Sequence, residues 1–214
     1  MKKTFTFFLI LFSFTLFGQN SNSVLSSGNW HKFSIDTTGV FKIDFNLLRQ
    51  IGINPNNINP KNIKIYGNGG ALLPNLNSDF RYNNLEENAI FVSGEDDNTF
   101  NSKDYILFYG KGPHDWEVDS VNNTASHRQN IYSDKSYYFI TVDNGLGKRI
   151  SNSTEITTNT ALQISSFDDF IFYEKELTNI RAIGQDWFGE DFTVENLQTF
   201  SIPFTNPVLN SSAL

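Results

Sequence analysis

The stretch Asn29–Phe45, NWHKFSIDTTGVFKIDF, decides the fold. Phe33 and Ile35 alternate with Lys32, Ser34 and Asp36, and Phe41, Ile43 and Phe45 alternate with Lys42 and Asp44. A period of two puts alternate side chains on one face of a strand, so the stretch reads as two half-buried strands rather than a helix. Thr37-Thr38-Gly39 interrupts the pattern as a turn, which predicts a β-hairpin with one apolar face.

The same alphabet continues outward. A short helix follows, capped by Asp44 or Asn46, with Leu47, Leu48 and Ile51 on one side and Gly52 ending it. Pro55 and Pro60 mark the Asn-rich NPNNINP as a loop. NIKIYG (62–67) reads as a strand closing on the turn Asn68-Gly69-Gly70, and NAIFVSG (88–94) and DYILFYG (104–110) as two more. SYYFITVD (136–143) runs into Asn144-Gly145, a dipeptide suited to a tight hairpin. Many strands and one short helix make the chain mainly β, an antiparallel sheet or sandwich.

The ends carry different signals. Lys2 and Lys3 precede an uncharged apolar run from Phe5 to Phe17. That run is shorter than the ~20 residues a membrane span needs, so residues 1–18 read as a secretory signal peptide. The protein is therefore expected to be exported, to the periplasm, outer membrane or cell surface. Removing both lysines makes the net charge of −7 more negative by two, which disfavours nucleic acid as a partner. There is no cysteine, so the core is held without disulfides, and 21 Phe, 8 Tyr and 3 Trp can fill it. Residues 19–150 form the predicted N-terminal β-rich domain. The polar Ser/Thr/Asn run at 151–163 reads as a linker or edge. From 164 to 214, FDDFIFYEKEL, DWFGEDF and LQTFSIPF read as the beginning of a second, truncated β-domain, since so few strands cannot close a sandwich.

Candidate sites are sparse. In GEDDNTFNSKDYILFYGKGP (94–113), Asp96, Asn98 and Asp104 offer three oxygen ligands to calcium, and Phe100 a backbone carbonyl. "DDNTFNSKDY" resembles half of a dockerin-type calcium loop. The bend lacks its Gly, no terminal Glu follows, and Lys103 sits beside the last acid, so a polar turn leading into a strand is the competing reading. Gly67-Asn68-Gly69-Gly70 lacks the Gly-Lys-Ser/Thr ending of a phosphate loop and suits a turn. His114 and Asp115, beside Trp116, have no nucleophile to serve, and His31 and His127 fit no zinc spacing. Trp187 and Phe188, in the densest aromatic–acidic cluster, either contact a neighbouring domain or ligand, or anchor the second domain's core, the favoured reading. Asn122-Asn123-Thr124, Asn152-Ser153-Thr154 and Asn210-Ser211-Ser212 match N-glycan sequons, while Asp36-Thr37-Thr38 and Asp119-Ser120-Val121 match a bacterial O-glycan pattern.

Five segments in order carry a resemblance: GNWHKFSIDTTGVFKIDFNLLRQIGI (28–53), NINPKNIKIYGNGGALLP (57–74), ENAIFVSGEDDNTFNSKDYILFYGKGP (87–113), NIYSDKSYYFITVD (130–143) and GQDWFGEDF (184–192). Together they resemble the N-terminal region of the PorU family, the gingipain-like cysteine peptidases that serve as sortases of the type IX secretion system. The resemblance implies β-rich domains ahead of a caspase-like catalytic domain, in an enzyme that removes C-terminal sorting signals from secreted cargo and helps attach that cargo to the cell surface. Partners then include the downstream catalytic domain, other secretion components and the cargo. The chemistry of that family needs a cysteine thiolate. This chain has none, so no catalytic residue can be assigned and the chain is expected to be inactive alone, with catalysis encoded beyond Leu214. The competing reading is an exported surface-binding β-sandwich, an adhesin or glycan-binding module.

Overall fold

The structure is a computed structural model that describes residues 23–122, 124–151, 153, 165–166, 172–182 and 187–208. The chain divides into two compact units, one up to Ser151 and one from Asn152.

The first unit is built from nine strands: β1 (His31–Ile35), β2 (Gly39–Asp44), β3 (Ile63–Tyr66), β4 (Glu87–Asn88), β5 (Ile90–Ser93), β6 (Tyr105–Gly110), β7 (Asp115–Asp119), β8 (Thr124–Arg128) and β9 (Ser136–Val142). One sheet runs β1-β9-β3-β4, a second β2-β6-β5, and β7-β8 is a separate two-stranded ribbon. All of the strand-to-strand pairings are antiparallel. The mainly β, antiparallel architecture with one helix is therefore as the sequence pattern predicts.

The decisive stretch folds differently from its hairpin reading. β1 pairs with β9, His31 opposite Ile140, while β2 pairs with β6, Gly39 opposite Gly110. The two strands thus belong to different sheets, and Asp36–Thr38 arches from one to the other. A hairpin and an arch bury the same alternate positions, so a period of two cannot separate them. Packing decides. Across the gap, Phe33 of β1 meets Phe108 of β6 edge to face at 5.5 Å between ring centroids, and Tyr138 of β9 meets the same ring at 5.3 Å. The arch is held by the Gly112 amide, which donates to Thr38 Oγ1 at 2.8 Å, and a Cβ on Gly112 would collide with the Thr37 and Thr38 backbone.

The core lies between the two sheets. Ile35, Ile63, Ile65, Tyr138 and Ile140 face inward from one; Ile43, Ile90, Val92, Ile106 and Phe108 face them from the other. Leu48, Ile53 and Phe100 plug the ends. Each fully buried side chain of this size contributes about 1.5–3 kcal/mol relative to exposure. Helix α1 (Phe45–Gln50) starts on the predicted cap: the Asp44 carboxylate accepts the Leu47 amide at 2.9 Å. Gly52 follows with φ of +94°, the left-handed value that ends a helix cleanly. The two prolines do not leave an irregular loop. Each opens a 3₁₀ turn, Pro55–Asn57 and Pro60–Asn62, capped by the side chains of Asn54 and Asn59.

Asn144-Gly145 turns the chain, yet no hairpin partner returns along β9. Lys148–Ile150 crosses instead to β5: the Ile90 amide donates to the Lys148 carbonyl at 3.2 Å and the Ile150 amide to the Ile90 carbonyl at 3.0 Å. In the second unit the described residues contain no multi-residue strand. Thr178 and Phe188 exchange backbone hydrogen bonds in a single antiparallel bridge, and the Leu177 amide donates to the same Phe188 carbonyl. FDDFI and most of the 151–163 run, with two of the three sequon asparagines, Asn152 and Asn210, lie outside the described residues, while Asn122 is exposed in the turn after β7.

Candidate functional site

β1 and β2 each occupy the outer position of their sheet, and among the described residues no strand pairs with the far edge of either. Because the arch joining them is short, both bare edges lie on one side of the sandwich. Between them is an open cleft of about 270 Å³. Its walls are Phe33 and Ile35 from β1 and Phe41 and Ile43 from β2, with Phe108 at the bottom and Leu47 of α1 at one end. Phe33 and Phe41 are half-buried lips; Phe108 beneath them is buried, 5.5 and 5.6 Å from their ring centroids. Lys42, Lys135, Ser34 and Asp36 complete the lining.

The opposite seam is closed. Arg149, on the segment added beside β5, donates through Nε to Glu95 Oε2 at 2.8 Å, through Nη2 to the Pro60 carbonyl at 2.9 Å and through Nη1 to the Ile63 carbonyl at 3.2 Å. One guanidinium thereby ties the entry to β3 in one sheet to the turn after β5 in the other. Bare strand edges are usually covered or blunted, and among the described residues one side is covered and the other is not.

The site residues expected from sequence are placed as follows. Gly94–Asp104 is the connection between β5 and β6, which pair antiparallel with Ser93 opposite Tyr105. Asp104 is buried, and its Oδ2 accepts the Asn101 amide at 2.7 Å. Phe100 sends its ring into the core. Asp96 and Asn98 lie at the exposed tip, where Asn98 takes φ of +62°. Asp97, outside the calcium reading but part of the polar-turn reading, does the local work: its Oδ1 accepts the Thr99 amide at 2.9 Å and the Thr99 hydroxyl at 2.8 Å. Those two bonds hold its carboxyl below the ordinary Asp value. Among the described residues no three His, Asp or Glu side chains converge as a cation site requires.

The sequence reading kept His114 and His127 apart, but the β7–β8 ribbon brings them together. Trp116 stands opposite His127, with ring centroids 5.1 Å apart, and His114 is 5.9 Å from His127. His114 Nδ1 accepts the Asn130 amide at 3.0 Å, so that nitrogen carries no proton and the ring serves as a structural acceptor. His31 Nδ1 donates to the Ile51 carbonyl at 2.7 Å, fixing the end of α1. Trp187 and Phe188 are 43% and 51% exposed, so neither ring anchors a buried core.

No protein-family description matches this sequence, and no curated protein does. Among solved structures, the chain is similar to the crystal structure of dimeric latent PorU from Porphyromonas gingivalis, with 25% sequence identity and a TM-score of 0.42 over 62% of this chain. The matched part is 11% of that chain, so the present sequence corresponds to a small portion of its length.

Proposed function

We propose that this chain is the non-catalytic N-terminal portion of a type IX secretion sortase of the gingipain-like cysteine peptidase kind, acting as a scaffold and docking region. The observation that carries the docking role is the open β1–β2 seam, where an apolar cleft is flanked by two bare strand edges. The five ordered segments from Gly28 to Phe192 support the family. The absence of any thiol puts the cysteine chemistry of such an enzyme outside these residues. In this reading the leader of residues 1–18 exports the chain to the periplasm and outer membrane, for display at the cell surface. Its partners are the catalytic domain of the same parent, other secretion components and cargo bearing C-terminal sorting signals.

The test is an assay of the purified chain on a peptide that ends in a C-terminal sorting signal, together with pull-down of named secretion components. Expected are no cleavage and retention of at least one component. Cleavage that survives replacement of His31, His114 and His127 but disappears on unfolding would overturn the assignment.

A second reading, a glycan-binding surface module, draws on Tyr109 and Tyr137, both exposed on the outer faces of the sheets, the latter with Lys32 Nζ 3.7 Å from its ring centroid. Glycan-array binding lost in Tyr109→Ala and Tyr137→Ala variants would favour it.

A further inference from the structure

We propose that the β1–β2 seam receives one extended segment of a partner protein. The segment adds as a strand to a bare lip, inserts an apolar side chain between Phe33 and Phe41 onto Phe108, and carries acidic residues toward Lys42 and Lys135. This deepens the docking role proposed above, naming its surface and the chemistry of the partner.

Three observations select this occupant. The first is the backbone. β2 offers a six-residue edge, Gly39–Asp44, and β1 a five-residue edge, His31–Ile35, and neither contains a proline. An outer edge presents main-chain N–H and C=O groups that a polypeptide in strand conformation can satisfy. The second is the cleft. At about 270 Å³ it falls just below the roughly 300–1,000 Å³ of small-molecule sites, and a compact ligand would leave the two long lips unused. An alternating segment uses both, since every second side chain of a strand points the same way. The third is charge. In a chain of net charge −7 the cleft lining carries two lysines against one acid, Asp36. Lys42 Nζ also rests 4.6 Å above the Tyr105 ring centroid, on the outer face next to the lip. Acidic flanks on the incoming segment complement this lining, and basic flanks do not.

The contrast with the other seam sharpens the point. There the chain supplies its own covering segment, Lys148–Ile150, and locks it with Arg149. The incoming strand would do for β1 or β2 what Lys148–Ile150 does for β5.

The experiment selects short random displayed peptides on the full chain and measures the best binder by fluorescence anisotropy. Expected is a consensus of alternating apolar positions with acidic flanks. Backbone N-methylation at alternate residues of that peptide, which removes N–H donors but keeps the side chains, should weaken binding about tenfold or more. Lys42→Glu with Lys135→Glu, checked for folding by circular dichroism, should weaken it by a similar factor. Amide exchange should slow at Gly39–Asp44 or at His31–Ile35 on binding. The proposal is overturned if no peptide is enriched, if N-methylation is tolerated at both sets of alternate positions, since a strand on one lip directs only one set of its N–H groups to that lip, or if protection falls elsewhere. It is equally overturned if sedimentation shows self-association that the double substitution abolishes, because the seam would then be a contact between copies. Should peptide capture fail while a secretion component is still retained, the seam assignment falls and the docking role stands; the reverse pattern separates them the other way.

Discussion

The Tyr138 hydroxyl accepts the Lys111 amide at 2.7 Å and donates to the Lys111 carbonyl at 3.1 Å, so one phenol satisfies both backbone groups of one residue. Tyr138 lies on β9 in the first sheet, and Lys111 directly follows β6 in the second. The pair is therefore a polar rivet through an otherwise apolar interface. Tyr138→Phe keeps the ring against Phe33 and Phe108 but leaves Lys111 unsatisfied. Its expected cost is about 1–3 kcal/mol, read as a lower midpoint in urea with an unchanged slope.

Burial of the same phenol raises its ionisation above the ordinary value of 10.0. With the folded-state value higher than the unfolded one, the associated stability is fully present below about pH 10 and is lost as pH rises through the folded value. Urea midpoints measured upward from pH 9 should decline more steeply in the wild type than in Tyr138→Phe. Parallel profiles would show that this hydroxyl ionises freely in the native protein.

Arg149→Ala should loosen the closed seam. It removes a largely buried ion pair with Glu95 and two bonds to the carbonyls of buried Pro60 and Ile63, for an expected loss of roughly 2 kcal/mol. Amide exchange should accelerate at Ile90 and Ile150 first. Unchanged exchange there would mean that the backbone bonds alone hold the segment.

Asp97 titrates in the acid range with the opposite sign. The Thr99 amide and hydroxyl lower its folded value, so its contribution is present above the unfolded Asp value near 4 and disappears as pH falls through the lower folded one. Carboxyl NMR should find its midpoint below the ordinary Asp value, and Thr99→Ala should move it upward.

At Gly94, φ is +82° and a Cβ would run into the Asp104 carboxylate. Gly94→Ala should therefore destabilise by about 1 kcal/mol or more. Because Asp104 already holds the Asn101 amide, calcium or a chelator is expected to leave the melting temperature of the wild type unchanged. A rise with calcium that Asp96→Ala abolishes would assign the metal to this loop.

The elements with a strict period and a marked boundary were legible in the sequence. α1 announced itself through Asp44 and Gly52, and β3, β5, β6 and β9 through their alternating isoleucines and aromatics. What failed was the partner of each strand. Thr37-Thr38-Gly39 lacks the Asn-Gly or Asp-Gly signature of a two-residue hairpin, and that absence was the available hint of an arch. The β7–β8 ribbon was missed because its faces are mostly exposed: DWEVD and TASHR bury no continuous apolar row. The cleft could not be read at all. Phe33 and Phe41 carry the same signature as any core residue, and only the placement of β1 and β2 at two sheet edges turns them into lips.

The arch also dictates when the first strand can come to rest. His31–Ile35 has its mate at Ser136–Ile140, roughly a hundred residues downstream, and Gly39–Asp44 waits for Tyr105–Gly110. A chain emerging from its N-terminus therefore holds its opening strands unmatched until most of the unit has appeared. Such non-local wiring slows collapse into the finished form and keeps the nascent polypeptide threadable for longer than a succession of hairpins would.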